Sequence, residues 1–149
     1  MLVKEKPDIK IAIVGTGELE KVVKIESENL NLINNVSFLG FKSNPLKILH
    51  DSKVMILTSR WEGIPMCALE AMAFGVPIVS TPVDGLKEII INGENGYLSD
   101  MNEEISNEII ACLNDRQKLK RLSDNQVLNS KKWNNTEQYK RVLLKGYKF

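Results

Sequence analysis

The constraint on this chain is a set of short runs with almost no polar residue inside them. Ile9–Val14, Val36–Leu39, Val54–Leu57 and Val76–Thr81 are rich in β-branched and aliphatic residues and do not alternate with polar ones. A strand without alternation has both faces covered, which is the pattern of a parallel sheet between layers of helix. The segments between the runs have helical spacing instead. Glu18–Leu30 places Leu19, Val22, Val23 and Ile25 on one side of a helix. Pro45–His50 reads as a short helix. Pro65–Phe74 reads as a helix closed by Gly75 in the left-handed C-terminal position. Pro77 stands at the start of its strand, where a missing N–H is tolerated. Gly93 and Gly96 punctuate a turn before Tyr97-Leu98, an expected edge strand. From Asn102 the pattern is helical, over Glu104–Leu113, Arg116–Asn129 and Thr136–Tyr147. Strands alternating with helices, joined by right-handed crossovers, predict an α/β Rossmann-like doubly wound parallel sheet. It is expected as a single domain over residues 1–149, with 130–149 as a closing C-terminal helix.

Charge and cysteine content exclude several function classes. A net charge of +1 gives no electrostatic footprint for nucleic acid. No apolar run reaches the roughly 18 residues of a membrane span. Cys67 and Cys112 lack metal-ligand spacing, and His50 is the single histidine, so neither a His-based metal site nor a His-based triad is expected. A reducing, cytoplasmic setting is the corresponding expectation.

In doubly wound sheets ligands bind beyond the carboxyl ends of the strands. Gly15, Gly40, Arg60–Pro65 and Pro82–Gly85 all follow strand ends, so these loops are expected on one rim. The string Glu62-Gly63-Ile64-Pro65-Met66-Cys67-Ala68-Leu69-Glu70 occupies the most informative of them. Pro65 suits the first helical position, where its absent N–H costs nothing. The amides of Met66, Cys67 and Ala68 then lack intrahelical acceptors and, with the helix dipole, form an anion site. Gly63 is expected to allow close backbone approach and unusual dihedrals. A carboxylate accepts two hydrogen bonds, so Glu70 suits a vicinal diol and Glu62 suits sugar hydroxyls on the other side of a diphosphate. Either Glu alone also fits a plain structural role, one favouring the helix dipole and the other lying on a solvated face.

The segment Ser59–Glu70, continued by Ala71-Met72-Ala73-Phe74-Gly75-Val76-Pro77-Ile78-Val79-Ser80, closely resembles the motif of the group 1 retaining glycosyltransferases with the GT-B fold. Ile11–Gly17 and Val36–Gly40 resemble that family's strands. Asp84–Leu98, with Glu88-Ile89, Asn92-Gly93 and Asn95-Gly96-Tyr97-Leu98, resembles its next segment. Ser130–Tyr139, with Trp133 and Tyr139, resembles its closing helix. The resemblance covers nearly the whole chain. It implies that Glu62 contacts hydroxyls of the donor sugar as the catalytic-site carboxylate. Gly63, Ile64, Pro65 and Met66 line sugar and diphosphate, and Cys67 and Ala68 offer amides to the phosphates. Glu70 holds the ribose, Gly40, Phe41 and Lys42 lie near the base, and Gly15 borders the cleft. The implied reaction transfers a sugar from a nucleoside-diphosphate donor with retention. It has no metal or other cofactor in this domain and no assigned protein nucleophile.

Two departures accompany the resemblance. The family's C-terminal domain opens with a further strand and helix carrying a Gly-Arg pair and a downstream Lys, which nothing before Ile9 supplies. The acceptor-binding N-terminal domain is also absent. The expectation is therefore a donor-binding fragment, inactive alone and with weakened nucleotide affinity. It would pair with the missing domain of the same enzyme, with an acceptor left open. An uncovered sheet edge adds homodimerisation to the expected associations. Peripheral membrane contact of the full protein through Lys131-Lys132 and Lys145/Lys148 competes with a solvated face. A non-catalytic sugar-nucleotide-binding or partner-docking module is the alternative function.

Other residues carry weaker signals. Gly15-Thr16-Gly17 lacks the third Gly of a dinucleotide fingerprint, which disfavours a nicotinamide cofactor. Arg60 reads as a rim residue and Trp61 as packing beneath its loop. His50 reads as a helix-end residue. Cys67 is either a reactive thiol at a helix start or a small residue tolerated beside crowded backbone.

Overall fold

The computed structural model describes residues 2–133. The expected helix over Thr136–Tyr147, with Tyr139, Lys145 and Lys148, lies outside them. In chain order the elements are α1 (Leu2–Glu5), β1 (Ile11–Val14), α2 (Glu20–Asn29), β2 (Val36–Gly40), α3 (Leu46–His50) and β3 (Met55–Leu57). There follow α4 (Met66–Phe74), β4 (Ile78–Ser80), α5 (Asp84–Lys87), β5 (Gly96–Leu98), α6 (Asn102–Asn114) and α7 (Arg116–Trp133). All strand pairs are parallel. β1 lies on β2 with Ile11 opposite Val36, and β4 lies between β3 and β5 with Ile78 opposite Met55 and Gly96.

β4 shows why these residues form a sheet covered on both sides. Successive side chains of a strand point to opposite faces. Ile78 joins Ala68, Ala71, Met72 and Leu86 in one buried cluster, under α4 and α5. Val79 joins Ile105 and Ile109 of α6 in a second cluster on the other face. All three β4 residues are fully or almost fully buried, the state that an unbroken apolar run anticipates. Among the described residues β5 pairs only with β4 and so is the edge strand expected at Tyr97-Leu98.

The helix ends follow from single residues. Gly75 has φ 67° and closes α4, with Val76 N donating to the Ala71 carbonyl (2.8 Å) and Gly75 N to Met72 (3.1 Å). These are the paired bonds of a Schellman stop. A Cβ added at Gly75 would lie 2.8 Å from Ser123 Oγ, so the small residue also lets α7 lie against α4. Behind β5, buried Asn95 accepts a bond from Ile91 N (2.7 Å) and donates to the Ile89 carbonyl (2.9 Å).

The expected α/β architecture with parallel strands is present, its five described strands lying in two ladders, β1-β2 and β3-β4-β5. Among the described residues no strand joins the outer edge of β1 to that of β3. Burial falls accordingly: Ile13 and Val14 of β1 are 38% and 39% exposed, against 0% and 1% for Ile78 and Val79. The two units meet where Leu2 and Ile9 pack against the Val79–Ile105–Ile109 cluster. Two short helices, α1 and α5, were not legible in the sequence. No helix among the described residues is long and apolar enough to cross a membrane.

Candidate functional site

The site is built on the connection from β3 to α4 and on the turn from β4 to α5 that lies against it. Pro65 has φ −70° and ψ 131°, so it caps α4 from outside and Met66 is the first helical residue. This moves Pro65 one position from the expected first helical place. The consequence is a smaller set of free donors. Ala68 N donates to the Pro65 carbonyl at 2.9 Å and is already engaged. The amides of Met66 and Cys67 lack a backbone acceptor among the described residues and open the helix.

Glu62 is exposed in the preceding loop, where Ser59 Oγ donates to its Oε1 at 2.9 Å. Ser59 is itself held, its carbonyl accepting from Thr81 Oγ1 at 2.6 Å. Glu70 lies half-buried within α4. Cys67 stands between the two acids and registers both. Burial pushes its thiol above the ordinary value, and the charge of Glu70, then that of Glu62, pushes the same way. The backbone amides of Cys67 and Ala68 pull it down and lose. The helix-start route to a reactive thiolate is therefore overruled by desolvation and like charge.

Gly63 departs from expectation in its dihedrals. Its φ is not among the positive ones, and a Cβ built there meets nothing within 4 Å. The protein's own packing does not demand glycine at that position. It does demand one at Gly85, which sequence reasoning passed over: a Cβ there would stand 1.9 Å from the Gly63 carbonyl oxygen. The only available signal was a glycine soon after a strand end, which does not distinguish close approach from an ordinary turn. Between the two loops lies a hollow of about 520 Å³, lined by Arg60, Trp61, Glu62 and Gly63 on one side and Asp84 and Lys87 on the other. Trp61 is 84% exposed, so it does not pack beneath the loop as expected.

The remaining residues belong to the other ladder. Gly15 and Gly40 both have positive φ, 119° and 64°, and Gly15 N donates to the Gly40 carbonyl at 2.9 Å. The loops after β1 and β2 are thus tied together, with Phe41 (76% exposed) and Lys42 open beyond them. The structure therefore gathers Glu62, Gly63, Ile64, Pro65, Met66, Cys67, Ala68 and Glu70 on one connection. Gly15, Gly40, Phe41 and Lys42 gather on another.

The family model for glycosyl transferases group 1 matches residues 1–127. The chain belongs to the group 1 glycosyltransferases. An uncharacterized glycosyltransferase of Haemophilus influenzae is 32% identical over 133 residues, 87% of this chain and 38% of that protein. The poly(glycerol-phosphate) alpha-glucosyltransferase of Bacillus subtilis is 32% identical over 127 residues, 83% of this chain and 19% of its own length. Among solved structures, TarM superposes with TM-score 0.90 at 26% identity, over 97% of this chain and 30% of TarM. Anabaena HepE in complex with UDP-glucose superposes with TM-score 0.77 at 28% identity, over 85% of this chain and 37% of HepE. The chain thus spans between about a fifth and two fifths of the relatives it matches. Within that span the family's α/β fold with parallel strands is present, and in this chain Glu62–Glu70 runs from the loop after β3 into α4.

Proposed function

We propose that this chain is the donor-binding part of a retaining glycosyltransferase that takes a sugar from a nucleoside-diphosphate donor. The observation carrying this is the β3–α4 connection: a braced carboxylate, open helix-start amides and a second carboxylate follow one another along it. The Met66 and Cys67 amides, with the positive end of the helix dipole, bind the diphosphate. Glu70, lying in the helix, accepts hydrogen bonds from the ribose hydroxyls. Glu62, held by Ser59, accepts hydrogen bonds from the sugar and sits closest to the bond that breaks. Gly63, Ile64 and Pro65 shape the wall between them. Gly15, Gly40, Phe41 and Lys42 serve the base side of the cleft.

The chemistry sets a limit on affinity. Amide bonds to a diphosphate are charge-assisted through the phosphate alone, and a cation on the donor side strengthens the hold by pairing charge with charge. The cations would come from the opening strand and helix of the donor domain itself, and the acceptor wall from the N-terminal domain across the cleft. The setting we propose is cytoplasmic, with Lys131-Lys132 and Lys145/Lys148 as the basic residues for a peripheral membrane contact of the full protein. HepE's complex with UDP-glucose supports a uridine donor as the first to be tried. Calorimetric titration with UDP, GDP and ADP checks the assignment. One nucleoside diphosphate binds at millimolar concentration, and Glu70→Ala weakens it about tenfold, the loss of two hydrogen bonds at about 1 kcal/mol each with partial compensation by water. Equal affinity in wild type and Glu70→Ala contradicts the ribose role.

A further inference from the structure

The β4–α5 turn makes two independent contacts with the β3–α4 loop, and both converge on Glu62. Gly85 is buried, and its Cα is seated on the Gly63–Ile64 peptide. An added Cβ would lie 1.9 Å from Gly63 O, 2.2 Å from Gly63 C and 2.5 Å from Ile64 N. Those neighbours are backbone atoms, so a larger residue is accommodated only by moving the loop. The need for glycine is purely one of space. Gly85 lies in a helix without positive φ, where alanine is intrinsically the better residue. Thr81 makes the second contact, its hydroxyl donating to the Ser59 carbonyl at 2.6 Å. The Ser59 hydroxyl in turn donates to Glu62. Gly85 thus fixes the backbone just after Glu62, and Thr81 fixes the residue that orients its carboxylate.

We propose that Gly85 and Thr81 are positioning residues for Glu62: the β4–α5 turn is a fixed anvil that sets where the sugar-side carboxylate stands. Resting on the donor-site function proposed above, this assigns to the turn the discrimination between a nucleotide sugar and the bare nucleotide. Ribose and diphosphate contacts come from α4, beyond the loop that the turn controls. Relieving that backbone contact requires a displacement of about an ångström or more, enough to take the Glu62 carboxylate out of hydrogen-bond reach of a sugar hydroxyl.

The test is a nuclear magnetic resonance titration of the wild-type chain, Gly85→Ala and Thr81→Val with UDP and with UDP-glucose. Gly85→Ala shifts the Gly63 and Ile64 amides, loses about tenfold in affinity for UDP-glucose through the hydrogen bonds of Glu62 to the sugar, and keeps UDP affinity within about twofold. Thr81→Val, nearly isosteric, gives a smaller loss with the same selectivity and decides the matter if Gly85→Ala does not fold. Loss of both ligands together, or of neither, overturns the positioning role while leaving the donor site intact. Wild-type protein that binds neither ligand overturns the donor site and this role with it.

Discussion

Two glycines on facing loops have opposite requirements. Gly63 is exposed and unstrained, with open space at its Cβ position. Gly63→Ala is therefore expected to change stability by no more than about 0.5 kcal/mol. Gly85→Ala drives a methyl group into backbone and is expected to destabilise by about 1–3 kcal/mol. Urea denaturation of the pair checks both, and equal midpoints contradict the close approach. Cys67 offers a pH test. Its raised thiol pKa means that the folded state holds the proton more tightly than the unfolded chain. The resulting stability is present below the ordinary thiol range of about 8.5 and is lost as pH rises through the higher folded value. Alkylation of Cys67 at pH 8 is accordingly slower than that of a free cysteine, and Glu70→Gln speeds it. A Cys67 faster than free cysteine contradicts the balance of burial and charge over helix-start amides. The sequence showed the helix start, the two acids and the cysteine. It did not show which competing effect on the thiol is larger, because burial depends on packing across the fold.

At the scale of elements, legibility tracked periodicity. α4 was readable because an apolar run ends in a glycine, and Gly75 closes it at φ 67° as expected. α1 and α5 are only four residues each, too short to show a helical period. The start of α4 moved by one residue because proline at a helix entrance fits either side of the boundary. That one residue removes Ala68 from the free donors. Gly75 also shows how an element is tied to its neighbour. Gly75→Ala meets both a left-handed φ and Ser123 Oγ, so it is expected to cost about 2 kcal/mol or more in thermal or chemical unfolding. Gly75→Ala in a Ser123→Gly background recovers only the part due to Ser123 Oγ, because Val127 Cγ2 at 3.0 Å and the Ser123 carbonyl at 3.1 Å still crowd the added Cβ. Full recovery would mean that neither these contacts nor the left-handed backbone contributes.

For the whole molecule, the strands themselves were legible but their partners were not. Apolar runs announce burial on both faces without saying which strand lies alongside. Among the described residues β1 and β3 each keep one unpaired edge, and β1 is correspondingly exposed. Exposed apolar positions continue on α2 at Val22 and Ile25. Hydrogen exchange is expected to divide the chain along this line, with β1 and β2 amides exchanging well before those of β4. Uniform protection across both ladders contradicts the division. The same open edge and apolar face favour association at high concentration. The donor site we propose is distributed over both units, with its acidic loop and helix start on the better-buried one. Its decisive examination is an amide-resolved titration with a nucleoside diphosphate, UDP first. The largest shifts are expected at Met66 and Cys67, with smaller ones along Gly63–Pro65 and at Glu70, and all of them shrink in Glu70→Ala. Shifts confined to other parts of the chain, or none at millimolar nucleotide, would contradict the assignment of the β3–α4 connection as the donor site.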